Sequence, residues 1–298
     1  MSVIKIQQAQ NGKGKALLCL EINPPKGVQT NLIEERLTAE VLSGLDFLNI
    51  TDNALAVMRM AALPFAAWLK QRFGIETLVN FSCRDRNVLG MQSDLLAAAL
   101  YDIKSVVALT GDAISVGDHS DFKGVFEVNS VGVLEVLRAL NSGLDRVGNP
   151  IVGKTEITPG VVVNPNVKNP AAELRKLGRK IEAGACYALS QPVFDESSSV
   201  AFFKEASQMG IPLFLGLMPI GSVKVARNLN RIPGLRLSSE IDNMLDRATD
   251  ADLREYSLVL CERLAEINRP YVSGYHVVSG VTPKLALKLL AKLKKSFE

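Results

Sequence analysis

The segment ETLVNFSCRDRNVLGMQSDLLAAALYDIKSVVALTG, residues 76–111, contains one complete strand–helix–strand unit. Its apolar runs at 76–83 and 105–111 do not alternate cleanly between apolar and polar residues, which is expected of parallel strands buried on both faces. Residues 88–101 between them are predicted to form a helix. The segment therefore predicts a parallel α/β sheet.

The same alternation recurs along the whole chain. The predicted strands are ALLCLEI (16–22), DFLNIT (46–51), ETLVNFSC (76–83), SVVALTG (105–111), TPGVVVN (158–164), CYALSQPV (186–193), PLFLGLMP (212–219) and PYVSGYHVV (270–278). Eight such units favour a single (β/α)8 TIM barrel over an open sheet. No GxGxxG motif follows the first run, which also counts against an open dinucleotide-binding sheet.

Helical segments separate these strands. Residues 54–72 and 170–184 are two of them, and the second begins at Pro170 and ends at Gly184, as helices often do. The C-terminal segment PKLALKLLAKLKKSFE carries Leu285, Leu289 and Leu293 on one stripe, which favours the last helix of a barrel over a membrane-surface helix. Two insertions, 112–129 and 143–157, interrupt the rhythm, and the first is predicted to cover a ligand at the catalytic face.

Composition excludes several classes of protein. The 298 residues suit one barrel domain spanning 1–298, and no apolar run reaches the roughly 20 residues that cross a membrane. A net charge of +3 does not by itself suggest nucleic-acid binding, and the N-terminus lacks a secretory h-region, so a cytoplasmic protein is expected. The four cysteines are far apart and there are only two histidines, so neither a metal site nor a disulfide scaffold is expected.

Polar residues collect where the predicted strands end, which is where barrel enzymes build their active sites. They are Glu21, Thr51, Asp52, Asn53, Asn80, the SCRDR segment 82–86, Thr110, Gly111, Asp112, Asn164, Gln191, Asp195 and His276. Each has a structural alternative. Glu21 could be an anion at a helix N-terminus or pair with Arg84 or Arg86, and Asp112 could cap the next segment. The charges of SCRDRN could form an ion-pair network, and His276 fits a hydrogen-bonded core or rim histidine better than a general base.

Six segments carry a resemblance to a known family. They are LEINPPKG (20–27), TDNALAVMR (51–59), SCRDRNVLGMQSDLL (82–96), ALTGDAISVGDHSDFKGVFEVNS (108–130), KIEAGACYALSQPVFD (180–195) and GLMPIGSVKVA (216–226). Together they resemble the methylenetetrahydrofolate reductase family, in its short bacterial form without a regulatory domain.

The resemblance implies reduction of methylenetetrahydrofolate to 5-methyltetrahydrofolate with FAD as cofactor. Glu21 matches the acid that protonates the folate and opens its methylene bridge, which requires a pKa raised by burial. Asp112 matches the residue that receives the amidine edge of the pterin, and Gln191 matches a glutamine that binds the substrate.

The same resemblance implies a flavin site. Thr51 and the turn Thr110-Gly111-Asp112 match positions that line the flavin ring and its ribityl chain. The expected set is completed by Asn80, Asn164 and Lys180, and Lys180 matches a basic position near the pyrophosphate. Asn80 departs from the family, since many relatives have a histidine there.

Two further departures concern the substrate. Val223 stands where relatives often have an aromatic ring, and Val281 lies about where they have an arginine for the folate tail. Electrons are expected from NAD(P)H or from a partner protein, and a homo-oligomer or hetero-oligomer is expected. The alternatives are a flavin-free folate-barrel methyltransferase that exchanges methyl groups with a corrinoid protein, and a non-catalytic subunit. The flavin-lining residues argue against the first, and Glu21 argues against the second.

Overall fold

The computed structural model describes residues 5, 6, 8–230, 232, 234–280 and 283–297. Within them, parallel strands pair in chain order and close into a barrel, with β8 beside β1. The strands are β1 (Leu17–Ile22), β2 (Phe47–Ile50), β3 (Glu76–Ser82), β4 (Ser105–Leu109), β5 (Thr158–Val163), β6 (Tyr187–Pro192), β7 (Leu213–Leu217) and β8 (Gly274–Val277). All eight predicted strands are present, so the TIM barrel is confirmed.

Helices surround the barrel and bury their apolar faces against the outside of the sheet. They are α1 (Asn31–Glu34), α2 (Ala39–Ser43), α3 (Ala62–Phe73), α4 (Val88–Leu100), α5 (Ser130–Asn141), α6 (Pro170–Glu182), α7 (Glu196–Ala206), α8 (Val223–Leu229), α9 (Ser239–Met244), α10 (Asp250–Asn268) and α11 (Pro283–Phe297). Leu289 and Leu293 of α11 are buried and Leu285 packs against the same core, which confirms the last barrel helix.

The side chains inside the barrel change from apolar to polar along its axis. Its N-terminal half is packed with apolar side chains, among them Cys19, Phe47 and Leu78 on the first three strands. Two residues further along the same strands, and so on the same inward face, stand Glu21, Asn49 and Asn80. The apolar layer therefore closes the barrel from below and leaves a polar cavity at the C-terminal ends of the strands.

The predicted helix over 54–72 is wrong in its first half, since α3 begins only at Ala62. Asn53, Leu55 and Ala56 have φ values of 44°, 56° and 54°, which an α-helix does not accept. Side chains from another loop take the backbone donors of this segment: Asp112 Oδ2 accepts from Leu55 N at 2.9 Å. The amphipathic pattern is present in the sequence, but tertiary hydrogen bonds override it.

The two predicted insertions lie at opposite ends of the barrel. Residues 112–129 follow β4 at the C-terminal ends of the strands and contain a short 3-10 helix, Ile114–Val116. Residues 143–157 join α5 to β5 at the other end, where Leu144 and Pro150 form an isolated antiparallel bridge. Only the first insertion can contribute to a site at the catalytic face.

Gly160 on β5 is required by packing inside the barrel. A Cβ there would lie 2.2 Å from Cζ of Tyr187, whose hydroxyl is 2.7 Å from Ser105 Oγ in a buried contact. We expect Gly160→Ala to destabilise the protein by about 1–3 kcal/mol because the ring has no free space to move into. The thermal unfolding midpoint, followed by circular dichroism, measures the effect.

Gly178→Ala serves as the matched control. Gly178 lies within α6, and a Cβ there meets nothing closer than Met209 Cε at 3.6 Å. Because alanine favours a helix over glycine by about 1 kcal/mol, this variant should unfold at a higher temperature than the wild type. A Gly160→Ala protein as stable as Gly178→Ala would contradict the packing argument.

Candidate active site

A cavity of about 590 Å³ opens at the C-terminal ends of the strands. Its floor is apolar and includes Leu109, Val162 and Leu189 from β4, β5 and β6. Its polar lining comes from residues far apart in the sequence: Glu21, Asn23, Asn49, Thr51, Asp52, Asn80, Arg84, Asp112, Ser190, Gln191, Asn228 and His276. An apolar cavity with a few convergent polar groups is the usual form of a small-molecule site.

Glu21 projects into this cavity from β1 with only 16% of its side chain exposed. Burial raises the pKa of Glu21 to about 7. The predicted alternative, a pairing with Arg84 or Arg86, is wrong, because Arg84 binds Asp85 at 2.7 Å and Arg86 binds Asp52 at 2.6 Å. No lysine or arginine among the described residues forms an ion pair with Glu21, so nothing there offsets the effect of burial, and a protonated carboxyl group is accessible at neutral pH.

The cationic partner that Glu21 lacks is not supplied by His276 either. His276 Nε2 lies 3.6 Å from Glu21 Oε2 but 3.0 Å from Asn49 Nδ2, an amide nitrogen that can only donate. Burial lowers the pKa of His276 to about 4, so the imidazole is neutral near pH 7 whichever of its nitrogens carries the proton. His276 is the hydrogen-bonded histidine that the sequence predicted, and it is neutral.

The charges of the SCRDRN segment form an ion-pair network at the rim, as the structural alternative predicted. Asp52 accepts from Ser82 N at 2.9 Å and from Arg86 at 2.6 Å, and Arg86 also binds Asp94 at 2.9 Å. Asp52 is 5% exposed, so the network anchors β2 to β3 inside the protein. It holds the rim together and leaves Asp52 committed to two partners.

Asp112 is exposed at the mouth of the cavity, where only one of its two carboxylate oxygens has a partner among the described residues, Leu55 N. Gly111 before it has φ +90°, and a Cβ there would lie 2.2 Å from Ser82 Oγ. A glycine is therefore needed for the turn that presents Asp112. The alternative that Asp112 caps the next segment is wrong, since the 3-10 helix Ile114–Val116 has no side-chain cap and Asp112 binds a backbone donor of the loop after β2 instead.

Gln191 and Asn80 both line the cavity with free polar atoms. Gln191 is exposed on β6, and its side chain has no hydrogen-bond partner in the described part of the chain. Asn80 is 9% exposed, and its Oδ1 is buried without a partner there. Thr51 also lines the cavity and donates to Asn23 Oδ1 at 2.8 Å. An unsatisfied buried oxygen facing a cavity indicates a position where a ligand donor can bind.

Three of the predicted site residues do not line the cavity. Thr110 Oγ1 accepts from Ser130 N at the start of α5, and Asn164 Nδ2 donates to the carbonyl oxygen of Gly234. Lys180 Nζ donates to the carbonyl oxygen of Val162 at 2.6 Å, and burial lowers the pKa of Lys180. In the structure these side chains hold loops and strands in place.

Of the two further departures from the family, the structure describes the position of Val223. Val223 is the first residue of α8 and packs against the helix–sheet core, while Val225 lines the cavity. Val281 lies outside the described residues.

Sequence reasoning missed Asn49 and the wall formed by α8 and the segment after it. Asn49 is 1% exposed within β2, and a polar residue inside an apolar strand was the signal that could have identified it. The missed wall of the cavity is formed by residues of α8 and of the segment after it, namely Asn228, Leu229, Ile232 and Leu235. Nothing in their local pattern distinguishes them from the solvent-facing part of a barrel helix.

Neither a metal site nor a membrane-spanning helix is found in the described part of the chain. No group of three or more His, Cys, Asp or Glu side chains there could hold a metal ion. Nor does any helix among residues 5–297, gaps excepted, have the length and apolarity to cross a membrane.

Comparisons with known proteins agree with this architecture. The maize methylenetetrahydrofolate reductase (NADH) 1 is 26% identical over 306 aligned residues, which cover 98% of this chain and 51% of the maize protein. The chain thus spans about half the length of this plant relative. The Escherichia coli 5,10-methylenetetrahydrofolate reductase is 24% identical over 89% of this chain and 86% of its own length.

Among solved structures, a Clostridium thermocellum protein described as binding two copies of 5-methyl-5,6,7,8-tetrahydrofolic acid shares the fold. It has a TM-score of 0.65 and 14% identity and covers 99% of both chains. A family model for methylenetetrahydrofolate reductase matches residues 5–294, which takes in all eight strands of the barrel. The chain belongs to the methylenetetrahydrofolate reductase family.

Proposed function

We propose that this protein reduces 5,10-methylenetetrahydrofolate to 5-methyltetrahydrofolate with a flavin, FAD, as cofactor. The observation that carries the proposal is the uncompensated carboxyl group of Glu21 inside the cavity, with its pKa raised to about 7. A general acid works best when its pKa is near the working pH, and a folate methylene bridge has to be protonated before it opens. Family membership supports the substrate.

The cavity fits the ring system of a flavin. The floor of Leu109, Val162 and Leu189 offers an apolar surface to a flat ring, and the unpaired Asn80 Oδ1 offers an acceptor to a ring N–H. The backbone at Gly111 has no side chain to obstruct a close approach. A bound flavin would supply the hydride that converts the methylene group to methyl. Thr51, Asn80 and Gly111 would hold it, and Thr110, Asn164 and Lys180 would support the surrounding loops.

The residues of the chain prepare the folate for this transfer. The protonated Glu21 donates its proton to a nitrogen of the methylene bridge. The carbon–nitrogen bond then breaks towards that nitrogen, and the carbon is left as an electrophilic iminium. Asp112, whose second carboxylate oxygen has no partner among the described residues, receives the two N–H groups of the pterin, and the Gln191 amide binds the ring beside it. NAD(P)H or a partner protein as electron donor, and a homo-oligomer or hetero-oligomer as assembly, stay predictions.

An anaerobic absorbance spectrum of the purified protein tests the function directly. A flavin spectrum that bleaches when 5-methyltetrahydrofolate is added supports the folate half-reaction without any electron donor. A protein that stays colourless after reconstitution with FAD would instead favour the flavin-free methyltransferase.

The acid role of Glu21 predicts a specific pH dependence. Only the protonated carboxyl group donates, so the rate of the folate half-reaction should fall about tenfold per pH unit above about 7, the pKa of Glu21. Glu21→Gln should nearly abolish this half-reaction and leave flavin binding intact, as stopped-flow absorbance would show. Glu182→Gln, at an exposed position of α6, is the matched control. Wild-type folate turnover in Glu21→Gln would refute the assignment.

Asp112→Asn tests the pterin-binding role. The asparagine oxygen can still accept from Leu55 N, so the loop should keep its structure, while the pterin loses a charged acceptor. We expect KM for the folate to rise about ten- to a hundredfold, because a hydrogen bond to a charged group contributes about 1.5–3 kcal/mol. Asp121→Asn, in the same loop, is the control. An unchanged KM and rate would rule out this role.

A further inference from the structure

The side of α4 that faces away from the barrel is apolar. Leu89, Leu96 and Leu100 expose 74%, 43% and 80% of their surfaces, and Tyr101 directly after the helix exposes 61%. The three leucines and Ser93 lie three or four positions apart and so share one side of the helix. With Tyr101 they form what we call the α4 face. The opposite side of α4 is buried in the core, and a helix that is apolar on both sides is normally covered on both.

The charged residues closest to the α4 face are paired within the chain. Asp94 and Asp102 are the only charged residues between positions 88 and 103. Asp94 binds Arg86 at 2.9 Å, and Asp102 binds Lys70 and Lys104, each at 2.7 Å. These two carboxylates therefore present no unpaired charge to a partner, and the α4 face does not suit a nucleic acid or another strongly charged surface.

A crevice opens beside the α4 face. It lies between α3 and α4, has a volume of about 140 Å³ and is large enough for one aliphatic side chain. Leu63, Pro64, Ala97 and Tyr101 contribute to its apolar lining. Protruding leucines and an apolar crevice of matching size thus occur on the same surface, which is what two identical surfaces need in order to interdigitate.

We propose that the α4 face is the contact between two copies of this chain, with the two α4 helices antiparallel across a twofold axis. A twofold axis places each residue near its own copy, so a charge at the centre would meet a like charge. Ser93 and Leu96 at the centre carry none. Ser93 Oγ donates to the carbonyl oxygen of Leu89 at 3.2 Å, so the hydroxyl can be buried without losing a partner. Antiparallel helices also bring opposite ends of their dipoles together.

The area available is sufficient for a dimer once the flanks of α4 are included. A standard interface takes about 800 Å² from each copy, and the 13 residues of α4 form a helix only about 20 Å long. The loop at 145–149 widens the surface on one side, since Arg146 N donates to Gln92 Oε1 at 2.7 Å and Val147 beside it is exposed. The crevice and α3 widen it on the other side.

The oligomeric state in solution tests this inference independently of the proposed reaction. Light scattering after size-exclusion chromatography of the purified protein should give a dimer or a multiple of one. Leu96→Glu places two carboxylates opposite each other in an apolar contact, so the dissociation constant of the dimer should rise about a hundredfold or more. Val259→Glu, at an exposed position of α10, is the matched control and should stay associated.

Ser93→Cys is the second variant and changes the size of the side chain little. If residue 93 lies near the twofold axis, mild oxidation should join two chains by a disulfide, which a non-reducing gel detects. The wild-type protein, with its own four cysteines, is the control and should stay unlinked. A dimer of Ser93→Cys that cannot be linked would overturn the antiparallel arrangement.

Two further results would overturn the interface itself. One is a wild-type protein that is monomeric at micromolar concentration. The other is a Leu96→Glu protein that has the circular dichroism spectrum of the wild type and the same oligomeric state. Dissociation of Leu96→Glu, with Val259→Glu still associated, would support the interface whether or not the folate half-reaction is observed.

Discussion

The desolvation of one carboxyl group is the constraint on which the proposed chemistry depends. Glu21 lies near the C-terminal end of β1 with its side chain largely buried, and no lysine or arginine among the described residues forms an ion pair with it. Arg84 and Arg86 at the rim are each bound to an aspartate, and burial keeps His276 neutral by lowering its pKa to about 4. An ion pair between Glu21 and either arginine would lower the pKa of Glu21 and keep it ionised, so the carboxyl group could no longer donate a proton.

The catalytic face is organised by contacts between loops that are distant in sequence. The loop after β2 contains three residues in the left-handed region and is held by Asp112 and Asp118 from the loop after β4. The same two loops touch closely at Gly117, where a Cβ would lie 1.9 Å from the carbonyl oxygen of Ala56. Backbone strain of this kind persists only where surrounding contacts fix it, and it is concentrated here beside the cavity.

The sequence by itself determined the barrel, because each strand is an apolar run long enough to span the sheet and each is followed by a helical segment. The closure of eight parallel strands then places their C-terminal ends together, which is why Glu21, Thr51, Asn80, Asp112 and Gln191 could be grouped before any coordinates. The family motifs added the expected chemistry.

Only the tertiary structure decided what each polar group is bonded to. The sequence could not separate Glu21 as an acid from Glu21 as an ion-pair partner, since that depends on which carboxylates the arginines reach across the rim. The sequence pattern also predicted a helix over 54–61, where the structure has a loop. The backbone N–H groups of that loop donate to side chains about sixty residues away in the sequence. Hydrogen bonds and desolvation depend on which groups folding brings together, and the order of residues in the sequence does not specify this directly.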